Sequence, residues 1–322
     1  MGEPASDEKP LLKEMQVLEE QLQPGTELAG YEIKGRIGIG GMGAVYRAVD
    51  LAEGDEVALK ALVTPENRSF PEMLSRFQVQ AALLTGLQHA SVVDIQDVGR
   101  YDDICFLIMP LMLGPEDEPV CLGDYAGWFE DRIDPGEMLQ IFDLLLDAFE
   151  HFHAHRMVHG NMKPNNVLLQ CAQRTDATWQ AKIMVSDFGL SRILGADFVV
   201  ESVRETVRTK DLQQATVRQN RLPPDAKALL QTYDYMSPEQ RRGEGASRRS
   251  DIFSIGLMFL RMLTGNKVIG FKAPSEMIPN IDADWDAFIL KATAQGKDQR
   301  YANVQEMRAA LKKLNVSDAQ PV

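Results

Sequence analysis

Residues 31–62 of the chain read YEIKGRIGIGGMGAVYRAVDLAEGDEVALKAL. Within them, Tyr31–Ile37, Ala44–Asp50 and Glu56–Leu62 alternate apolar with polar residues or run apolar, a pattern typical of β-strands. Glycines dominate Gly38–Gly43, between the first two of these stretches, and such a cluster marks a turn. The segment therefore predicts three successive strands, with a glycine-rich hairpin joining the first two.

The glycines of this hairpin, Gly38, Gly40 and Gly43, have the spacing G-x-G-x-x-G. Taken alone, the pattern fits either a tight turn or a dinucleotide-binding site. A dinucleotide site requires the pattern to open a helix after a strand, whereas here it lies between two strands. Because glycine has no side chain, backbone N–H groups in such a loop can approach phosphates closely. The loop is therefore interpreted as a flap over the phosphates of a ligand.

Lys60 stands near the end of the third predicted strand, in the sequence VALK. A lysine among apolar residues is costly to bury unless its ammonium meets an anion. An edge lysine that extends to water is the other interpretation of this residue alone. Since Lys60 follows the glycine flap by one strand, we expect it to pair with phosphate.

Two further stretches carry hard oxygen ligands. Residues 159–169 read HGNMKPNNVLL, and residues 186–189 read SDFG after the apolar run Ala181–Val185. The side chains of Asn166 and Asp187 could together hold Mg²⁺, which would also contact the phosphates.

The rest of the chain divides into a β-rich and a helical part. Phe70–Leu87 has the period of a helix, and Val92–Val98 and Ile104–Leu111 are further strand candidates. These would complete a unit of five strands and one helix. Asp134 and Pro135 are a helix N-cap and first-turn proline, and they open an amphipathic helix through His155. Further helices are predicted at Ile252–Leu263, Trp285–Ala294 and Val304–Leu314.

Composition excludes several classes of protein. The 322 residues include 47 Asp and Glu against 34 Lys and Arg, a net charge of −13, which argues against nucleic acid as a partner. The chain has an odd number of cysteines without C-x-x-C spacing, namely Cys105, Cys121 and Cys171. This favours a cytoplasmic protein without disulfides. Neither a signal peptide nor a run of about 18 apolar residues is found, so we expect no membrane insertion of this chain. The acidic residues 1–25 predict a short helix, either packed on the main body or serving as a partner-binding arm.

The order and spacing of these motifs resemble the signature set of protein kinases, in particular the eukaryotic-type Ser/Thr kinases of bacteria. Residues 235–240, YMSPEQ, and 250–256, SDIFSIG, are similar to sequence motifs of that family. The resemblance extends from about Tyr31 to Leu314 and implies an α+β, bilobal kinase-like fold. The implied divisions are an N-terminal extension 1–30, an N-lobe 31–112, a C-lobe 113–315 with an insertion 195–231 in the activation segment, and a tail 316–322.

The resemblance also implies a cleft between the lobes that binds ATP or ADP with Mg²⁺. Asn166 and Asp187 would hold the metal, and Lys163 would reach the γ-phosphate. Met109 would be the gatekeeper, and Leu111 would belong to the hinge. The family's nucleotide-contacting positions fall here on Gly38, Gly40, Gly43, Val45, Ala58, Lys60, Met109, Leu111 and Leu168.

Three structural roles carry over in the same way. Asp251 would brace the His159 loop, and Arg300 would pair with Glu239. Thr232 would line the floor of the groove for a peptide substrate.

Three residues depart from the family pattern, namely Gly160, Asn161 and Gln80. The family's catalytic loop reads H-R-D, whereas Gly160 and Asn161 occupy the second and third positions here. An amide cannot accept the proton of a substrate hydroxyl, and general-base catalysis is typically worth about 10²–10⁴-fold in rate. The glutamate partner of the strand lysine falls on Gln80, so no ion pair with Lys60 can form.

These losses predict a pseudokinase that binds nucleotide and acts as a scaffold or allosteric partner of another signalling protein. The alternative is a slow but genuine Ser/Thr kinase in which Asn161 orients the hydroxyl and the metals supply most of the catalysis. Because both readings remain open, the sequence does not decide whether the protein is an enzyme. The insertion 195–231 is either a mobile or partly helical segment, or an element that docks a partner or mimics a substrate.

Overall fold

A computed structural model of the chain describes residues 17–40, 42–62, 70–114, 118–128, 133–170, 182–194, 200, 224–265, 273–279 and 281–316. Residues 1–16, Cys171, the tail from 317 and most of the insertion 195–231 lie outside these ranges, and so do the predictions made for them. The chain forms two compact units. The β unit comprises residues 1–86, 94–111 and 190–234, and the helical unit comprises residues 87–93, 112–189 and 235–322.

The β unit is built on one antiparallel sheet in the order β1-β2-β3-β4-β6-β5. Its strands are β1 Glu27–Leu28, β2 Tyr31–Gly40, β3 Gly43–Asp50, β4 Glu56–Leu62, β5 Asp97–Tyr101 and β6 Ile104–Pro110. The predicted strand bounds are confirmed for β4 and are close for β2, β3 and β6, and β1 adds a sixth strand.

The predicted strand Val92–Val98 is wrong except at Asp97 and Val98, the two residues that it shares with β5. Val92 forms a parallel bridge with Val185, and the Val93 N–H donates to the carbonyl of Val185 at 2.9 Å. The Val185 N–H in turn donates to the carbonyl of Ser91 at 2.8 Å. Residues 91–93 therefore pair inside the helical unit, and β5 of the other sheet begins only at Asp97.

Helix α1, Phe70–Leu84, belongs to the β unit and buries one face. It ends three residues before the predicted end, where Thr85 and Gly86 form a turn. Glycine loses more conformational freedom on folding than other residues, which disfavours continuing the helix. The buried residues are Met73, Phe77, Gln80, Ala81 and Leu84, the spacing expected of an amphipathic helix.

The described end of the N-terminal extension packs within the same unit. Residues 17–21 are helical, and the side chains of Leu18 and Leu22 are buried. Glu19 forms an ion pair with Arg36 at 3.0 Å. Of the two interpretations of this segment, packing on the main body is the one that these contacts support.

The helical unit contains most of the helices and a short hairpin, β7 Val167–Gln170 with β8 Lys182–Val185. Asp134 caps the long helix α3, Pro135–Ala154, as predicted, since its carboxylate accepts the N–H groups of Gly136 and Glu137 at 2.9 and 3.1 Å. The other helices are α2 Leu122–Gly127, α4 Ser191–Leu194, α5 Pro224–Tyr235, α6 Pro238–Arg241, α7 Arg248–Thr264, α8 Pro274–Met277, α9 Ala283–Ala292 and α10 Val304–Leu311. Of these, α4 and most of α5 belong to the β unit.

The core of the helical unit is formed where α7 packs against α3 and α9. The rings of Phe142 and Phe259 meet edge to face, with centroids 4.8 Å apart. At Gly256 a Cβ would lie 2.4 Å from the Cβ of Ala292, so the crossing of α7 and α9 leaves no room for a side chain. No helix in the described part of the chain is long and apolar enough to cross a membrane.

Helix α4 follows Gly189 and groups with the β unit, where it packs against α1. The side chains of Ile193 and Val200 are buried. Local periodicity gives no information about such a long-range contact, and the assignment of the insertion 195–231 to the C-lobe stays a prediction.

Candidate functional site

One face of the sheet carries four of the residues predicted to contact nucleotide. Val45 is the cross-strand partner of Lys60, and Ala58 is the partner of Met109. Cross-strand partners share a face of a sheet, and so do residues two apart along a strand, such as Ala58 and Lys60. Ala58, Lys60 and Met109 are buried, and Val45 is half-buried. The structure therefore brings these four together, and Leu111 follows directly after β6.

The glycine loop closes the hairpin of β2 and β3, with Gly40 opposite Gly43. Gly43 has a φ of 145°, and a Cβ there would lie 2.0 Å from the carbonyl oxygen of Ala61. Only glycine fits that position. At Gly38 and Gly40 the nearest atoms would be 3.7 and 3.8 Å from a Cβ, which is ordinary contact. Packing does not require glycine at these two positions. Their glycines instead fit a loop whose backbone N–H groups approach a ligand closely.

Gln80 lies on the buried face of α1 and is 5% exposed, and Lys60 is 4% exposed. Both are polar side chains inside the β unit. An amide can exchange hydrogen bonds with its surroundings but adds no negative charge to this interior.

In the helical unit, the β7–β8 hairpin fixes the two predicted metal ligands. Val167 pairs with Val185, so the residues just outside this pair, Asn166 and Ser186, lie at the same end of the hairpin. The Ser186 N–H donates to the carbonyl of Asn166 at 2.9 Å. Asp187 follows at once, so the ladder places it near Asn166.

The orientation of the Asn166 side chain fits a cation. Its Nδ2 donates to the backbone carbonyl of Asn161 at 2.7 Å, which leaves the Oδ1 atom as the ligand end. Asp187 is half-buried and has a φ of 66°, a region that residues other than glycine rarely adopt. Such backbone strain is concentrated at functional sites. One amide oxygen and one carboxylate are the donor types that Mg²⁺ prefers.

His159 is fully buried, and its two ring nitrogens have different partners. The Asn161 N–H donates to Nδ1 at 3.2 Å, so the proton lies on Nε2, which donates to the carbonyl of Ser186 at 3.0 Å. Burial lowers the pKa of this imidazole, which keeps it neutral. Its ring also packs with Phe188, whose ring is stacked on Phe152 with centroids 4.1 Å apart.

Asp251 braces the loop, as the resemblance implies. Its Oδ2 accepts the N–H of His159 at 3.0 Å, and its Oδ1 accepts the N–H of Gly160 at 2.8 Å. A third donor, His153, was not predicted from the sequence, and its Nε2 lies 2.8 Å from Oδ2. His153 lies on the inward face of α3 beside Phe149 and Phe152, and this position was the available signal.

The predicted pair of Arg300 and Glu239 is confirmed. It is bidentate, with Nη1 to Oε1 at 2.7 Å and Nη2 to Oε2 at 2.8 Å. Burial alone would raise the pKa of the Glu239 carboxyl, but hydrogen bonds from Arg300, from the backbone and from Ser250 outweigh it and lower the pKa to about 2.

Three more of the predicted residues, Lys163, Leu168 and Thr232, are buried or half-buried. Lys163 is 4% exposed, just before the turn that carries Asn166. Leu168 is half-buried on β7 and bridges to Cys121. Thr232 lies inside helix α5, buried, with its hydroxyl donating to the carbonyl of Ala228 at 3.0 Å. Its role as the floor of a groove stays a prediction.

The comparisons with known proteins agree with one another. A model of the protein kinase domain matches residues 31–317. The serine/threonine-protein kinase PrkC of Bacillus subtilis is 28% identical over 304 residues, which cover 89% of this chain and 41% of PrkC. The serine/threonine-protein kinase PknB of Mycolicibacterium smegmatis is 28% identical over 308 residues, 90% of this chain and 43% of PknB.

A solved structure, a double mutant of the Mycobacterium tuberculosis PknI kinase domain, is similar with a TM-score of 0.65 at 20% identity. The match covers 91% of this chain and 98% of that domain, and it establishes the likeness of fold. The chain spans about two fifths of the length of the curated relatives it matches.

Proposed function

The chain belongs to the protein kinase family, and we propose that within it the chain is a nucleotide-binding pseudokinase. It would bind ATP or ADP with Mg²⁺ and transfer phosphate weakly or not at all. The observation that carries the proposal is Asn161, which stands where the family has its catalytic aspartate, while the two predicted metal ligands, Asn166 and Asp187, are kept. Loss of the base removes about 10²–10⁴-fold in rate.

Two titratable groups that could replace the missing base, His159 in the catalytic loop and Asp251 of α7, are already engaged in holding the loop. Both nitrogens of His159 are engaged, by Asn161 and by Ser186, and its lowered pKa reflects complete burial. The carboxylate of Asp251 accepts the backbone of the loop and His153. Each group serves to hold the loop rather than to receive a substrate proton.

Each unit, taken by itself, carries residues of the kind that bind nucleotide. In the β unit, the sheet face with Val45, Ala58 and Lys60 offers an apolar surface and one cation. In the helical unit, Asn166 and Asp187 offer the oxygen ligands. When bound, Mg²⁺ would neutralise phosphate charge there.

The proposed role is that of a scaffold or allosteric partner for another signalling protein in the cytoplasm. A ligand shifts a conformational equilibrium only by its differential affinity for the two states, and bound nucleotide could supply that difference. Cys105 and Cys121 are free, buried thiols, which suits a reducing compartment.

A thermal-shift assay with ADP, with and without Mg²⁺, tests the nucleotide site. Ligand at about 100 times its Kd stabilises a protein by roughly 2.7 kcal/mol, so a clear rise in Tm is expected with Mg²⁺. Asp187→Ala should remove the Mg²⁺-dependent part of the rise, whereas Asp298→Asn, at an exposed surface site, should keep it. No rise for the wild type under either condition would overturn the proposal.

Transfer of labelled phosphate from ATP tests catalysis. The wild type should stay near background, and Asn161→Asp should raise transfer because it restores a base. Gln80→Glu added to Asn161→Asp tests the second loss, that of the glutamate that would pair with Lys60. Wild-type transfer that Asp187→Ala abolishes would instead establish the slow Ser/Thr kinase.

A further inference from the structure

Gln240 makes a contact that the sequence motif does not reveal. It lies on helix α6 and is the third residue of a capping box with Ser237. Its Oε1 accepts the N–H and the hydroxyl of Ser237 at 3.2 and 3.0 Å, which is the usual task of that position. The other end of the same amide, Nε2, donates to the carbonyl of Gly160 in the catalytic loop at 2.8 Å.

This bond completes the anchoring of one peptide segment. Asp251 accepts the N–H of Gly160, and Gln240 donates to its carbonyl, so the residue is held on both sides. Gly160 has a φ of 72°, and a glycine has more backbone freedom than the arginine found at this position in the family. A second anchor restricts that freedom.

The anchored segment leads to the metal ligand. Asn161 follows Gly160, and the carbonyl of Asn161 accepts Nδ2 of Asn166 at 2.7 Å. Gln240, Asn161 and Asn166 are all buried, at 5%, 8% and 4% exposure. Hydrogen bonds in such an interior are strong, and an unsatisfied partner there is costly.

We propose that Gln240 is a positioning residue, which fixes the backbone from Gly160 to Asn166 and thereby sets the Asn166 oxygen for Mg²⁺. The assignment rests on the proposed nucleotide-binding function. A neutral amide is required, because it must accept from Ser237 and donate to Gly160 at once. A glutamate can only accept, and its charge would face the Gly160 carbonyl.

The first test measures the Mg²⁺ concentration that half-saturates ADP binding. Gln240→Met has similar length but no donor and only a weak thioether acceptor, and Gln240→Glu keeps only the acceptor. Both variants should raise the Mg²⁺ midpoint by about 10-fold, which is the lower end of the effect typical when a residue that orients a metal ligand is lost. ADP binding in EDTA should not change. Ser237→Ala is the matched control, since it removes the capping hydroxyl but leaves the Ser237 N–H and the bond from Gln240 to Gly160. A merely structural role would lower Tm in all three variants without moving the midpoint.

The second test does not depend on nucleotide. Hydrogen exchange of residues 157–166 should be faster in Gln240→Met and Gln240→Glu than in the wild type, and unchanged in Ser237→Ala. Unchanged exchange in this loop, or a Ser237→Ala variant that matches Gln240→Met in both measurements, would overturn the assignment. If the wild type binds no ADP at all, the proposed function fails, and the exchange rates still decide whether Gln240 holds the loop.

Discussion

Replacing Glu239 by glutamine should be among the most destabilising changes of a single charge in the helical unit. The Arg300 side chain is 0% exposed and that of Glu239 is 5% exposed. Besides the two bonds to Glu239, the guanidinium donates to the carbonyls of Ala294 and Arg249 at 2.8 and 2.9 Å. Glu239→Gln therefore leaves a buried cation without its counter-charge, which typically costs 3–5 kcal/mol.

The pKa of Glu239 gives a second estimate of this magnitude. Its ordinary value is 4.5 and the folded value is about 2. At about 1.4 kcal/mol per pKa unit, the shift corresponds to about 3 kcal/mol. Because the folded pKa is depressed, this stability is present above about pH 4.5 and is lost as the pH falls towards 2.

The assay is urea denaturation followed by tryptophan fluorescence, for which the fully buried Trp285 is a natural probe. At pH 7 the Gln variant should lose about 3–5 kcal/mol of unfolding free energy. The difference from the wild type should shrink between pH 4.5 and 2, as the wild-type carboxylate takes up its proton. Asp298→Asn serves as control, because it removes an ion pair to Arg249 at an exposed site and should cost at most about 1 kcal/mol. A Gln variant no less stable than this control, or a difference independent of pH, would refute the reasoning.

Three further predictions concern glycines and a cap. Gly43→Ala should cost about 1–3 kcal/mol of unfolding free energy, because its methyl group would overpack against β4. Gly40→Ala should leave the unfolding free energy unchanged but weaken ADP binding. Urea titration measures the stability of the two variants, and calorimetry measures their ADP binding. Gly256→Ala should cost about 1–3 kcal/mol because its methyl would meet Ala292, and unaltered stability in urea would contradict the close crossing of α7 and α9. Asp134→Ala should cost about 1 kcal/mol through loss of the α3 cap, and a melting temperature equal to that of the wild type would contradict it.

Local sequence signals predicted the parts of the fold that local chemistry determines. The bounds of β4 and the start of α3 at Asp134 and Pro135 follow from patterning and capping within a few residues. The same holds for the order of the motifs, from which the family resemblance correctly indicated the kinase fold and the pair of Arg300 and Glu239.

What the sequence could not predict depends on contacts between distant segments. Val92 and Val93 have the composition of a strand, and only the position of Val185 decides which strand they join. The amide of Gln240 reaches Gly160 across 80 positions of the chain, so neither residue's neighbours reveal it. The docking of α4 on α1 is of the same kind.

The pairing of residues 91–93 with β8 has a consequence for dissecting the protein. A two-stranded hairpin is marginal on its own in water, and this upstream segment gives β8, which ends two residues before Asp187, a second backbone partner besides β7. The contact joins residues about ninety positions apart, so it forms only after a long loop of the chain has closed. We therefore expect the three-segment sheet to be completed late in refolding. A recombinant fragment of the helical unit that begins at residue 112 would lack that partner, and fusing residues 87–93 ahead of it should restore ordered amides in β8.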